Sequence, residues 1–404
     1  MTLSLVCDYL VSIMVTRNKK QPASAQTLKL RPENKATARR TRLRSDKATA
    51  WRRKVIVGLS GGVDSALAAY LLCQQGYEVI GIFMQNWSQD VAGFCCNTDE
   101  EAMIARRVAN YLGIKFYIWN FEEAYRQKVI SYFFDEYRRG RTPNPDVMCN
   151  KEIKFKLFLE RALGMGADLV ATGHYARINH DDNGYHLLIN HDKNKDQSYF
   201  LATLQQEQLA HTLFPLGEYD KPTVRQMAQA AGLPNFNKKD SQGICFIGKI
   251  NVREFLQENI KQDPGQIIDP QGLVLGEHQG LAFYTIGQRE GLPMLSNGPY
   301  YVVEKKVETN ELVVSKNPDD ELLWRDECLI TDLSWTNKRP QLSGEFAVVI
   351  RYHHAPAVAN LAKTNDNTLK LKFSTKQRAI TPGQLAVIYH GDELLGCGTI
   401  DKVL

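Results

Sequence analysis

Three stretches of the chain carry residue types that could do chemistry. The first is Ser60-Gly61-Gly62-Val63-Asp64-Ser65, which follows the apolar, β-branched run Val55-Ile56-Val57 and leads directly into a helical pattern. A strand, a glycine loop and a helix N-terminus in that order form an anion cradle. Backbone N–H groups point at the ligand, the helix dipole lies behind them, and glycines remove the Cβ that would keep a phosphate away. There is no Gly-Lys-Ser/Thr and no G-x-G-x-x-G, so neither a Walker A loop nor a dinucleotide loop is present. The second stretch is Arg141-Thr142-Pro143-Asn144-Pro145-Asp146-Val147-Met148-Cys149-Asn150. Its two prolines stiffen the loop and argue against regular helix there. Cys149 is expected at the edge of a helix starting near Asn150, where a helix N-terminus would favour the thiolate, with Asp146 as an acid/base partner. Taken alone, Asp-x-x-Cys is better read as a buried cysteine beside a capping carboxylate. The third stretch, from Lys238 to Gly248, places Cys245 between Ile244 and Phe246, where an isolated cysteine would usually be a small core residue.

The elements that must position these residues alternate at first between strand and helix. Strands are expected at Lys54–Leu59, Tyr77–Met84, Lys115–Trp119 and Asp168–Ala171, with helices from about Asp64 to Gln75, from a Thr98/Glu101 capping box to Gly113, from about Glu122 to Arg139 and over Ile153–Leu163. Such alternation predicts a parallel sheet covered by helices, with ligands beyond the carboxyl ends of its strands. The Ser60–Ser65 loop, Met84 and Gly173-His174 all fall at such ends. Beyond them, Tyr175–Asn190 reads as a hairpin around Asp182-Asn183-Gly184, and helix returns near Lys221–Ala231. From about Pro264 onward short strands and turns predict one or two small β-barrels.

At 404 residues the chain is long enough for two or three domains. Its net charge of +5 is unevenly spread: residues 1–54 hold 14 Lys and Arg against 3 Asp and Glu, while the remainder holds 36 against 42. A nucleic-acid partner would therefore have to use a local basic patch of the folded body. The basic N-terminal stretch reads as a tail, as an artefact of an upstream start with Met14 as the true beginning, or as an organelle transit peptide. The eight cysteines, at 7, 73, 95, 96, 149, 245, 328 and 397, have no C-x-x-C spacing. They fit a cytosolic chain with one or two reactive thiols better than a disulfide scaffold. Cys95-Cys96 lacks ligand partners at metal spacing, so no metal site is expected there.

Taken in order, Ser-Gly-Gly-Val-Asp-Ser, Phe-Met-Gln-Asn-Trp, Arg-Thr-Pro-Asn-Pro-Asp-x-x-Cys-Asn-Lys-Glu-Ile-Lys-Phe, Ala-Thr-Gly-His-Tyr, Asn-Lys-Asp-Gln-Ser-Tyr-Phe-Leu, Lys-Asp-Ser-x-Gly-Ile-Cys-Phe-Ile-Gly and Gly-Glu-His-Gln-Gly-Leu resemble the tRNA-specific 2-thiouridylase family from about Lys54 to the C-terminus. The first of these is similar to the pyrophosphate loop of enzymes that split ATP into AMP and pyrophosphate. The resemblance implies an α/β plus β fold. A doubly wound parallel sheet of the adenine-nucleotide α-hydrolase, pyrophosphate-loop type (54–248) would follow the basic tail (1–53), then a small central domain (249–312) and a C-terminal β-barrel (313–404). It implies that Gly58, Leu59, Ser60, Gly61, Gly62, Val63, Asp64 and Ser65 bind ATP, with Met84 and Gly173 at its adenosine part.

The same resemblance implies Cys149 as nucleophile, Cys245 as persulfide carrier, a transient Cys149–Cys245 disulfide, and Asp146 managing the proton. Asn144, Pro145 and Asp146 would meet the target uridine, and His174, Lys195, Asp196, Gln197, Arg351, Tyr352 and Gln384 the tRNA. As residues alone, His174 and Tyr175 are as readily structural. The expected reaction is adenylation of the uridine C2 oxygen by Mg²⁺-bound ATP, followed by sulfur transfer from the persulfide. The expected partners are tRNAs of the Lys, Glu and Gln type, modified at the wobble uridine, and a persulfide donor such as a cysteine desulfurase or relay protein. A cytoplasmic monomer is expected, with an organelle as the alternative location. The alternative activity is an ATP pyrophosphatase that adenylates a small molecule, which would need neither thiol.

Overall fold

The computed structural model describes residues 53–88, 98–239, 252–293 and 298–404. The basic tail, Cys95-Cys96 and Cys245 lie outside the described residues. The first layer is a parallel sheet of β1 (Lys54–Gly58), β2 (Glu78–Gln85), β3 (Lys115–Asn120) and β4 (Leu169–Ala171). A hairpin, β5 (Arg177–Asp181) and β6 (Gly184–Leu188), then leaves the sheet before β7 (Thr212–Leu213) rejoins it. The strand order is β3-β2-β1-β4-β7, with every pairing parallel. The order reverses between β1 and β4, so their carboxyl ends flank a crevice of the kind that takes ligands in such sheets. Central strand β1 is buried on both faces, as its Val-Ile-Val run requires.

Two long helical runs connect β3 to β4. One spans residues 122–138 and passes through a π-turn at Arg126–Ile130. The other spans 145–164, with π geometry over Asn150–Leu157. Phe133, Phe134, Ile153 and Phe158 from these runs share one core with Phe255, Leu256, Phe283 and Tyr284, which joins the catalytic layer to the next domain.

That central domain is a four-stranded sheet in the order β10-β11-β8-β9, from β8 (Gly265–Ile268), β9 (Val274–His278), β10 (Tyr301–Lys306) and β11 (Glu311–Ser315). Because β11 pairs along its length with β10, the central sheet runs to Ser315, past the boundary expected at residue 312. Six antiparallel strands then form the C-terminal barrel: β12 (Trp324–Trp335), β13 (Glu345–Val349), β14 (Ala357–Asn365), β15 (Thr368–Arg378), β16 (Leu385–His390) and β17 (Glu393–Val403). Pairing of β12 with β17 closes it.

The apolar run of β16 follows from burial on both of its faces. Ala386 and Ile388 point into the barrel core, while Leu385, Val387 and Tyr389 pack on Tyr199, Leu201 and Leu187 of the first domain. Burying each such aliphatic side chain stabilises by about 1.5–3 kcal/mol, so this face ties the barrel firmly to the catalytic layer. The β5–β6 hairpin adds to it by pairing Leu187 and Leu188 with Leu394 and Glu393 of β17.

Candidate active site

The loop after β1 is drawn tight by its own hydroxyls. Ser65 Oγ accepts from Ser60 N at 3.2 Å and donates to Gly62 O at 3.1 Å. The Val63–Gln74 helix starts at Gly62 with no side-chain cap, which leaves its first N–H groups directed at the loop. Gly61 has φ +79°, and a Cβ there would lie 2.7 Å from Glu101 O. Asn235 Nδ2 donates to Gly61 O at 2.9 Å, and Lys238 pairs with Glu101 beside it. Asp64 turns away from the loop: Lys221 Nζ meets its two oxygens at 2.7 and 2.8 Å, and Tyr175 OH donates to one of them at 2.8 Å.

The end of β4 closes against this loop from the other side of the crevice. A Cβ on Gly173 would sit 2.6 Å from Ser65 N and 2.8 Å from Asp64 C, so only glycine lets the two backbones touch. A Cβ on Gly58 would lie 3.0 Å from Met84 Cε, which places Met84 against the end of β1. His174 Nδ1 shares a hydrogen bond with Thr172 Oγ1 at 2.7 Å. Its ring lies 5.8 Å from Phe155 and 6.0 Å from Phe214. Burial, helped by the Lys154 ammonium, holds the His174 pKa well below the ordinary imidazole range, so the ring is neutral at pH 7.

Phe155 belongs to the helical run that carries the thiol. That run corrects the expectation for Cys149. The helix begins at Pro145, capped by Asn144, whose Oδ1 accepts from Val147 N at 3.2 Å; Cys149 is its fifth residue and fully buried. Pro145 therefore opens the helix instead of excluding it, since proline suits the first helical position. The dipole acts within the first turn, so Asp146 feels it more than Cys149 does. Asp146 and Cys149, three apart, share a helix face.

The structure also places the residues expected at tRNA. Asn150 Nδ2 donates to Phe200 O at 2.9 Å, which fixes the segment after Lys195-Asp196-Gln197 beside the thiol helix. Phe200 stacks on Tyr352 with centroids 4.3 Å apart. Arg351 Nη2 donates to Thr381 Oγ1 at 2.7 Å. Lys195 is exposed and near enough to His353 to add to the burial that lowers that histidine's pKa. Three side chains point inward. Asp196 accepts from Asn190 N and Ser198 Oγ, Gln197 Oε1 accepts from Tyr175 N, and Gln384 Nε2 donates to Thr142 O. Burial raises the pKa of Asp196.

Models of three successive family domains match the chain: a tRNA methyl transferase HUP domain over residues 53–249, a tRNA methyl transferase PRC-barrel domain over 253–316 and an aminomethyltransferase β-barrel domain over 325–400. The chain is 49% identical over 352 residues to proteins of Bacillus mycoides and Bacillus cereus, each named tRNA-specific 2-thiouridylase MnmA; the match covers 87% of this chain and 95% of each relative. A Bacillus cytotoxicus protein of the same name is also 49% identical, over 353 residues, with the same coverage. The chain belongs to the tRNA-specific 2-thiouridylase family. Within this thiouridylase, Lys221 and Asn235 support the glycine loop although no motif drew attention to them, and Tyr175, Glu101 and Lys238, which lie in stretches noted for other reasons, support it too. Lys221 and Asn235 are buried polar residues, a signal of partnership that a sequence alone does not carry. Among the described residues no cluster of three His, Cys, Asp or Glu could hold a metal ion. No helix of the described residues is long and apolar enough to cross a membrane.

Proposed function

We propose that this thiouridylase uses ATP to convert a uridine of tRNA to 2-thiouridine at the wobble position. The observation that carries this reading is a continuous path of contacts. The uncapped glycine loop touches Gly173, His174 follows it and meets Phe155, and Phe155 lies on the helical run of Cys149. This path supports a reading in which the nucleotide phosphates and the Cys149 thiol serve one crevice. Methyl transfer from a sulfonium donor, which the descriptions of two of the domain models suggest, needs neither a phosphate cradle nor a thiol.

The C2 carbonyl of uridine is a poor electrophile with a poor leaving group. Attack of its oxygen on the α-phosphorus of ATP forms a phosphoester bond, breaks the α–β anhydride and releases pyrophosphate. The N–H groups of Gly61–Asp64 receive the charge that develops on the phosphates. The loop carries one carboxylate, Asp64, already held by Lys221 and Tyr175, which fits a magnesium ion brought in by the nucleotide; that ion would spread phosphate charge. Gly58 and Met84 form a wall for the adenosine, and Asn144, Pro145 and Asp146 face the base, with Asp146 moving the proton.

Sulfur comes from a persulfide on Cys245, supplied by a donor protein. The terminal sulfur bonds to C2 and AMP leaves. The Cys149 thiolate then attacks Cys245 Sγ and breaks its bond to the transferred sulfur, which keeps the electron pair and becomes the C2 thiocarbonyl, so the turn ends with a Cys149–Cys245 disulfide that an external thiol must reduce. The target base leaves its stack to reach the crevice. Lys195, Arg351 and Tyr352 offer the RNA backbone a basic and aromatic surface. Wobble uridines of Lys, Glu and Gln tRNAs are the proposed substrates, and a monomer is the proposed form. Pyrophosphate release measured with ATP alone, with tRNA and with tRNA already thiolated tests the first step. Release that depends on unmodified tRNA supports the reading; release indifferent to tRNA overturns it.

A further inference from the structure

Arg141, Thr142 and Pro143, immediately before the Asn144 cap, are where three parts of the molecule meet. Arg141 Nε pairs with Glu136 Oε2 at 2.7 Å and its Nη1 with Asp401 Oδ1 at 2.7 Å, while Nη2 donates to Ile400 O at 3.4 Å. Glu136 lies near the end of the 122–138 helical run of the first domain; Ile400 and Asp401 lie on barrel strand β17. Thr142 N donates to Pro382 O at 2.9 Å, and its hydroxyl is 3.3 Å from that of Thr285 in the central domain. Gln384 Nε2 donates to Thr142 O at 2.9 Å and to Pro143 O at 3.3 Å. Gly383 has φ +92°, and a Cβ there would lie 2.9 Å from Thr142 N and Thr142 O.

We propose that Arg141 and Gln384 are positioning residues through which the C-terminal barrel holds the Asn144–Cys149 turn in its reactive geometry. Two consecutive carbonyls, one amide and one guanidinium of the loop are committed to the barrel within three residues. The loop cannot change its path without breaking bonds to β17 or to the turn before β16. Gln384 is itself buried, 8% exposed, and both of its amide bonds go to the loop. It therefore acts on the base-binding turn from behind. The barrel then does more than add RNA surface: it sets how firmly Cys149 is held. The idea rests on Cys149 being the reactive thiol, but its test does not need turnover.

Gln384→Ala, Asp401→Asn and Arg141→Lys proteins would be treated with iodoacetamide under native conditions and each cysteine followed by peptide mass spectrometry. Cys328 and Cys397, buried in the barrel with thiols pushed up to about 12, report global unfolding. Gln384→Ala is expected to speed alkylation of Cys149 by at least about fivefold, since it removes two hydrogen bonds to the loop and the loss of even one buried hydrogen bond has about that effect on local opening, with Cys328 and Cys397 unchanged. Asp401→Asn, which alters an exposed partner, is expected to move in the same direction by less. Arg141→Lys keeps the charge and is expected to stay nearest to the parent. In thiolation assays Gln384→Ala should lower kcat with tRNA and ATP affinities held within about twofold, since the bond it breaks is inside the protein. Unchanged Cys149 alkylation in both Gln384→Ala and Asp401→Asn would overturn the proposal. So would a loss of tRNA affinity at unchanged kcat, which would make Gln384 an RNA contact. Failure of the parent protein to thiolate tRNA would count against the proposed activity and leave the alkylation comparison readable.

Discussion

The Lys221 ammonium sits 2.7 and 2.8 Å from the two carboxylate oxygens of Asp64, on the first turn of the helix that follows the glycine loop. Lys221 is 7% exposed, so the pair is shielded from solvent on the lysine side. A pair of this kind is costly to break from one side, because the remaining charge stays desolvated. Lys221→Met is expected to cost about 3 kcal/mol of stability in urea unfolding and to weaken ATP binding. The double change Lys221→Met with Asp64→Asn should recover most of the stability while leaving ATP turnover impaired. Recovery of both would show that the pair serves the fold alone.

Gly173 lets the end of β4 lie directly against the start of the helix after the glycine loop. Gly173→Ala must push the two backbones apart, since its Cβ would lie 2.6 Å from Ser65 N. The expected cost is about 1–3 kcal/mol, in the range of other overpacked sites, with a larger loss in ATP affinity than in tRNA affinity. Isothermal titration with ATP and with tRNA separates the two. Equal losses would mean that the crevice does not seat the nucleotide.

His174 gives the site a pH signature. Burial, and then Lys154, hold its folded-state pKa below the ordinary 6.5. Below that pH the unfolded chain binds a proton that the folded one refuses. Its contribution to stability is therefore full above about pH 6.5 and is lost as pH falls through that value. His278, His353 and His354 are lowered in the same direction, so the wild-type slope is shared. Comparing the pH dependence of unfolding for His174→Gln with the parent isolates one residue's part. The variant should lose less stability between pH 6.5 and 5, and parallel profiles would contradict the assigned environment.

Much of the catalytic layer was legible in the sequence, because local signals and the fold agreed there. The apolar Val55–Val57 run, the glycine loop and the Gly76 and Gly113 stops all lie where strand, loop and helix ends occur. The Pro143–Cys149 stretch was misread for a physical reason: proline forbids a helix interior but favours its first position, and the pattern alone does not say which applies. Non-local partnerships were out of reach. Glu101 looked like a capping residue, yet its carboxylate meets Lys238, 137 residues away, beside Gly61. Gln384 looked like an RNA contact, and its amide serves Thr142 and Pro143. Pairing of the β5–β6 hairpin with β17 likewise depends on chain segments 200 residues apart, for which a hairpin pattern gives no sign.

The central claim is that Cys149 and Cys245 together move sulfur to a uridine activated by ATP. Unmodified tRNA would be incubated with the protein, ATP, Mg²⁺ and a persulfide donor, then digested for nucleoside mass spectrometry beside the Cys149→Ser and Cys245→Ser proteins. The account predicts 2-thiouridine that requires ATP and is absent from both variants. AMP formation without any thiolated nucleoside, or thiolation that survives both substitutions, would contradict it.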